Sequence, residues 1–491
     1  KELFQFLAVA INRRVSELPL RIHEDSAKKD LITKVQEKAM WYAAGFMERM
    51  PYLLQNLGRA VIALAVFAVL DWRISLMLVI AAIPRLVVNL RYNHALWLVE
   101  TETAEVVRKF WYSRKFLVNH DDLTEVKLYQ NVPFFVGRIQ EYLGDIKDRE
   151  VAAEKRYLKE QMPALLFSEC ITGVCVWLLA SLVLGGQMAV GTFAFYFGSL
   201  VTFRLAQNEL IQNIGSQFRD GKFVTDMYRA FDLEPELPVV KSTGTILSEQ
   251  IKEIRFENVW FEYPFGHESD ENGDSAIDKT EGPVLKGLSL RIAGGSSVGI
   301  VAENGAGKST LMKLLCRLYD PTEGRILVNG IDIREFDLHW WQSQVGILLQ
   351  NFTRYEHLNI EEAIRLGRTD GFSVDMRAVE HAARLADVLG YILSLERGFE
   401  TIIGNGFEGA QNFSGGQHQK IALARLFFRQ APISIFDEPT SALDGAAEAR
   451  VFDSILEEMP GATRLIISHR LYTLRKADQI VLLQDGRVLE S

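Results

Sequence analysis

Glu303-Asn304-Gly305-Ala306-Gly307-Lys308-Ser309-Thr310 follows an apolar run, Ser297 to Val301, and opens a second one, Thr310 to Leu315. The first run predicts a buried strand and the second a helix, with a glycine-rich turn between them. Such a turn aims backbone N–H groups and a helix N-terminus at one point, which is where phosphates bind. Lys308 is placed to reach β- and γ-phosphates, and the Ser309 hydroxyl to take a position on Mg²⁺. By itself the stretch implies only a nucleoside triphosphate.

Further motifs come in order along the chain. Phe413-Ser414-Gly415-Gly416-Gln417 lies about a hundred residues on, and then comes Ile433-Ser434-Ile435-Phe436-Asp437-Glu438. The latter reads as a buried parallel strand delivering two carboxylates to its C-terminal edge. Asp437 is the candidate Mg²⁺ holder, and Glu438 the candidate for polarising an attacking water, the alternation of a strand separating their side chains. Pro439-Thr440-Ser441-Ala442-Leu443-Asp444 adds a third carboxylate in a turn. A strand from Arg464 to Ile467 ends in Ser468-His469, and one from Val345 to Leu349 ends in Gln350. That amide can sense both metal and γ-phosphate, and a neutral His469 imidazole can touch the γ-phosphate. Tyr263, in Phe261-Glu262-Tyr263-Pro264, can stack on adenine. Singly, each has a plainer reading as a turn, a structural histidine or a loop glycine.

Together, over residues 250–489, the set resembles the nucleotide-binding domain of an ATP-binding cassette (ABC) protein. The resemblance makes Tyr263 the adenine-stacking aromatic, Ala302 to Ser309 the Walker A segment, and Gln350 the Q-loop glutamine. It makes Ser414 to Gln417 the signature, Asp437 the Walker B aspartate and Glu438 the catalytic base. Asp444 becomes the D-loop aspartate and His469 the switch histidine. Asn304, Gly305, Ala306, Gly307, Lys308, Ser309 and Thr310 would then hold ATP, and Ser309, Gln350 and Asp437 its Mg²⁺. Two positions depart from the family pattern. Ala302 replaces a glycine, which is tolerable in a β conformation and strained at positive φ; Phe413 replaces a leucine.

At 491 residues the chain predicts more than one domain. Its net charge of −9 argues against nucleic-acid binding. Cys170, Cys175 and Cys316 have no metal or redox spacing and read as buried, reduced side chains. The apolar residues concentrate in the N-terminal half. Leu53 to Leu70, Ile74 to Leu90, Ala164 to Leu184 and Met188 to Phe203 each approach the roughly 20 residues needed to cross a bilayer. Short links at Asp71-Trp72-Arg73 and Gly185-Gly186-Gln187 pair them into two hairpins, and charged helix-forming segments between the hairpins predict cytoplasmic extensions. Arg59, Arg85 and Glu169, in or near the spans, are candidates for contacting a substrate.

This half resembles the transmembrane domain of a fused ABC exporter, an α-helical bundle followed by the P-loop α/β ATPase. The resemblance implies a transmembrane domain over 1–235, holding helices three to six, a linker over 236–249 and the nucleotide-binding domain over 250–491. The chain would be a fragment trimmed at both ends. It also implies coupling segments near Leu20 to Asp30 and Tyr129 to Arg138. An ATP-driven half-transporter is expected in the cell membrane, multi-pass, its ATP domain in the cytoplasm. It would act on an unknown exported substrate, with a second half-transporter as homodimer or heterodimer. A regulatory subunit that binds ATP but hydrolyses it weakly is the alternative, and Ala302 keeps it open. Four apolar spans argue against a soluble ABC ATPase. The insertion 266–282 holds Asp270 to Glu281, whose oxygen side chains fall at the spacing of an EF-hand Ca²⁺ loop, with Ser275 in place of the turn glycine. A solvated acidic loop is the plainer reading of the same residues.

Overall fold

In the computed structural model the described residues are 2–233, 246–247, 249–263, 282–368, 375–440, 443, 445–459, 461–468 and 474–490. Two compact units result: Lys1–Leu18 with Asp25–Glu234, and Pro19–Glu24 with Pro235–Ser491.

The first unit is helical. Met40–Glu102 is a single long helical stretch except at Asp71, whose φ of −157° and ψ of 116° break it. The break falls between the apolar runs, and the Asp71 carboxylate accepts the Arg73 N–H at 2.9 Å. Val132–Leu184 and Val190–Phe231 are joined by the turn at Gly185 to Met188, where Gly186 takes a φ of 68°. At 1.5 Å per residue a 53-residue helix such as Val132–Leu184 reaches about 80 Å, far beyond a hydrocarbon core of about 30 Å. Charged segments therefore continue each apolar run well beyond that thickness. Phe67, Leu78, Cys175, Leu179, Leu200 and Phe203 form the core of this unit. Elsewhere its apolar side chains face outward, Ile62, Trp177, Phe195 and Leu205 among them. Helices Met40–Glu102 and Val132–Leu184 are long and apolar enough to span a bilayer, and an outward apolar surface of this extent is suited to lipid. Cys170, expected to be buried, is exposed. It shares the outward stripe of Phe167 and Val174, one helical turn to either side.

The second unit is mixed α/β. Strands β1 (Glu253–Phe261), β2 (Leu285–Ala293), β4 (Glu323–Val328) and β5 (Ile331–Asp332) make an antiparallel sheet in the order β2-β1-β4-β5. A second sheet is built from β3 (Ser297–Ala302), β6 (Val345–Leu348), β9 (Ile433–Asp437), β10 (Thr463–Ile467), β11 (Gln479–Gln484) and β12 (Arg487–Glu490). Its order is β12-β11-β3-β10-β9-β6, parallel except for β12. The short β7 (Ile402–Ile403) and β8 (Ala410–Gln411) pair separately. Strands β3, β9 and β10 are near-continuous runs of buried apolar residues, as strands covered on both faces must be. The architecture is a helical region followed by a P-loop α/β domain.

Candidate nucleotide site

The C-terminal edge of the parallel sheet gathers the residues singled out by sequence, where open α/β sheets bind ligands. After β3 the chain turns through Gly305 (φ 81°) and Gly307 (φ 99°) into the helix Lys308–Leu315. Gly307 is needed twice over: its φ is left-handed, and a Cβ there would lie 2.7 Å from Leu285 Cδ2. Lys308 Nζ donates to the Ala302 carbonyl at 2.9 Å, so its ammonium lies across the mouth of the turn. Ala302 is the last residue of β3, pairs with Leu483 and is not among the positive-φ residues. Its methyl therefore sits in ordinary extended backbone, without the strain a left-handed position would impose.

Asp437 closes β9, and Glu438 does not continue it. Glu438 takes a φ of 46°, so a left-handed turn, rather than the strand alternation expected from sequence, parts the two carboxylates. Left-handed backbone at a non-glycine residue costs of the order of 1 kcal/mol or more and persists only where neighbours hold it. Here the Glu438 N–H donates to the Ile467 carbonyl at 2.9 Å, and buried Gln419 donates its side-chain amide to the Glu438 carbonyl at 3.1 Å. Gln350, just past β6, donates to the Glu438 carboxylate at 3.3 Å. Ser309 and Asp437 line the same groove. The Ser309 hydroxyl and the Asp437 carboxylate are oxygen donors, the kind that suits Mg²⁺.

Ser414 N-caps the helix Gly415–Arg429 in a reciprocal capping box. Its hydroxyl accepts the Gln417 N–H at 3.3 Å, and the Gln417 side chain accepts the Ser414 N–H at 2.8 Å. That arrangement leaves the helix N-terminus, with Gly415 and Gly416 bare of side chains, open to an anion. Behind it, burial holds the His418 imidazole below its ordinary pKa, so it is neutral at pH 7. Ser414→Ala is expected to cost about 1 kcal/mol of stability by removal of the cap, measured by denaturant unfolding.

Tyr263 lies at the end of β1 and is buried, 9% exposed. Its hydroxyl is 3.1 Å from Thr310 Oγ1, its ring meets Phe261 and Tyr319 edge-on, and Lys313 Nζ lies 5.0 Å from its centroid. The structure thus packs the ring inward rather than presenting an open stacking face. Lys313 also reaches Glu24 at 3.7 Å, and the Tyr319 hydroxyl donates to the Glu24 carboxylate. Glu24 closes the five-residue helix Leu20–Glu24, in the segment expected to couple to the ATP domain. Burial and the Glu24 carboxylate push the Tyr319 phenol well above its ordinary pKa.

His469 and Asp444 lie outside the described residues, as does the acidic stretch 270–281. Of the charges in the spans, Arg85 and Glu169 come into one cluster, while Arg59 stays exposed. Sequence reasoning missed Gln419, Glu24, Lys313 and Tyr319. Gln419 had a signal, since it follows Gln417 by two residues and is polar on a helix whose neighbours are buried.

A family model described as ABC transporter matches residues 285–441. The C-terminal unit is an ABC transporter ATPase domain. Across the whole chain a solved bacterial Atm1-family ABC exporter with ATP bound superposes at a TM-score of 0.82 with 25% identity, covering 100% of this chain and 81% of that one. The subtilin transport ATP-binding protein SpaT of Bacillus subtilis is 27% identical over 98% of this chain and 75% of its own length. The ATP-dependent lipid A-core flippase of Vibrio vulnificus is 33% identical over 67% of this chain and 52% of its own. Mouse ATP-binding cassette sub-family B member 5 is 29% identical over 91% of this chain and 34% of its own length. The chain thus spans about three-quarters, half and one-third of these curated relatives. The likeness to the solved exporter runs through both the helical region and the ATPase domain.

Proposed function

We propose that two such chains form an ATP-driven exporter, with ATP hydrolysed at two composite sites and coupled to alternating access across the cell membrane. The observation that carries this is the convergence of Lys308, Gln350, Asp437 and Glu438 on one sheet edge, with Gln350 already bonded to Glu438. In each site Tyr263 would contact adenine, and the residues from Asn304 to Thr310 the phosphates. Mg²⁺, held by Ser309, Asp437 and Gln350, would offset the phosphate charge. Glu438 would take a proton from the attacking water as it bonds to the γ-phosphorus and ADP leaves. The partner's Ser414, Gly415, Gly416 and Gln417, with its Asp444, would close the γ-phosphate side, and His469 would touch it. One chain carries every part of this set, so a homodimer suffices. Two of the relatives named above are described by different cargoes, subtilin and lipid A-core, so they do not fix the cargo here.

Coupling is assigned to Glu24, because it is held by the P-loop helix through Lys313 and by Tyr319. In lipid vesicles the chain should hydrolyse ATP only with Mg²⁺, with specific activity rising as protomers pair. Linear dependence on protein down to monomer concentrations would exclude composite sites. The extended conformation of Ala302 favours turnover over the regulatory alternative.

Tyr263 gives a sharper test of adenine contact. Adenine would have to draw the ring out of its packing against Phe261 and Tyr319 to stack on it; Tyr263→Ala should then weaken ATP binding roughly tenfold, base stacking on an aromatic contributing about 1–3 kcal/mol. Tyr263→Phe should keep the affinity and lose about 1 kcal/mol of stability with the Thr310 hydrogen bond. Equal ATP affinity in all three proteins, read by nucleotide titration, would remove Tyr263 from the site.

A further inference from the structure

The helical unit carries three ionisable side chains at one depth. Arg85 lies fourteen residues beyond the break at Asp71, about 21 Å along the helix. Glu169 lies sixteen residues before Gly185, and Arg204 fifteen after Ala189, each again about 22–24 Å from its turn. Both turns are at the end of the bundle away from the charged extensions, so the three charges share a level in the inner part of the hydrocarbon layer. Two of them are also in contact. Arg204 makes a two-pronged ion pair with Glu169, and Arg85 interacts electrostatically with both. Arg85 Nη1 donates to the Asn208 side chain at 2.6 Å, while its Nε is buried without a partner among the described residues. Two buried amides at similar depth, Asn56 and Gln207, each keep a polar atom unsatisfied there as well.

Two arginines against one glutamate leave this cluster with a formal charge of +1. Charges and unmet donors at such depth are expensive unless something polar answers them. Around the cluster the helices present Ile83, Val87, Phe167, Val201 and Leu205 outward, an apolar wall beside a cationic spot. We propose that this layer binds the anionic head of an amphiphile, a phosphate or carboxylate on an alkyl chain. Arg85 is the primary ligand, and the neighbouring apolar surface holds the tail. Arg85 is suited to it because a guanidinium offers a two-pronged donor to phosphate or carboxylate and its direct partner, Asn208, is neutral. The Arg204–Glu169 pair fixes the local geometry. A quaternary ammonium of equal tail length meets the same wall but a like charge. Such a site rests on the export reading and narrows the cargo to anionic amphiphiles.

The test uses the full chain in phosphatidylcholine nanodiscs, with radiolabelled dodecyl phosphate below its micellar concentration. Saturable binding is expected, competed by unlabelled dodecyl phosphate and not by dodecyltrimethylammonium. Arg85→Gln should weaken it about tenfold or more, Arg85→Lys less, and Asn208→Asp should abolish it by cancelling the net charge. An unchanged gel-filtration profile and unchanged ATP affinity in all three variants show that they fold. Competition by phosphatidic acid in the disc would identify a lipid as the source of the head, and its failure a free amphiphile; both keep the anionic site. Equal competition by the ammonium compound, or unaltered binding in Arg85→Gln and Asn208→Asp, overturns it. Hydrolysis without saturable binding sinks this site alone, whereas binding without hydrolysis sinks the export reading alone.

Discussion

Glu438→Gln is expected to lower ATP turnover at least about a hundredfold, within the 10²- to 10⁴-fold range of a general base. It should leave ATP binding intact and accumulate a closed, ATP-bound dimer. The substitution keeps shape and removes charge. The groups that hold the left-handed turn act on backbone atoms, namely the Ile467 carbonyl and the Gln419 amide, so the turn survives the change. The Gln350 amide can still donate to the new side-chain carbonyl. What is lost is the ability to take a proton from water. Single-turnover hydrolysis and nucleotide retention after gel filtration read the two halves of the expectation separately. Hydrolysis at the unmodified rate would exclude Glu438 as the base and with it the proposed mechanism.

The sheet edge was legible because its strands are short apolar runs that stop at polar residues. Ile433 to Phe436 and Leu465 to Ile467 declare buried parallel strands, and the polar residues after each run must lie at the C-terminal edge of the sheet. The glycines of the turn before Lys308 were legible for a similar reason, since φ values of 81° and 99° leave few other residues. Local backbone at Glu438 was not. Period-two alternation is a rule for residues inside a strand, and nothing in Asp437-Glu438 marks where the strand stops. The capping role of Ser414 and Gln417 was hidden differently: the Ser-x-x-Gln spacing was visible, but its functional reading drew attention from its structural one. Tyr263 shows the limit of pattern most clearly. Its position was readable from β1, but burial against Phe261, Tyr319 and Lys313 depends on residues up to fifty-six positions away. Such contacts have no local signature. The Asp71 break, in contrast, was marked by Asp-Trp-Arg between two apolar runs.

Lys308→Ala should weaken ATP affinity about a hundredfold and take turnover down with it. An ammonium donating to both β- and γ-phosphates makes charge-assisted hydrogen bonds of about 1.5–3 kcal/mol each. Two at the low end already correspond to about a hundredfold. The fold loses less: the Lys308 ammonium donates to the Ala302 carbonyl, and Ala302 stays paired with Leu483 in the sheet without it. Lys308→Ala should therefore unfold within about 1 kcal/mol of the unmodified chain. Ala302→Gly supplies the opposing control. Since Ala302 is extended and 5% exposed, removing its methyl relieves no strain and should change ATP affinity less than about twofold. A large gain in turnover for Ala302→Gly would mean that the methyl obstructs the phosphates after all, and would revive the weakly hydrolysing alternative. ATP titration of Lys308→Ala decides the other arm. Binding within about threefold of the unmodified chain would show that the backbone amides of Gly305 to Ser309 and the helix N-terminus hold the phosphates without the lysine, and Lys308 would then leave the site.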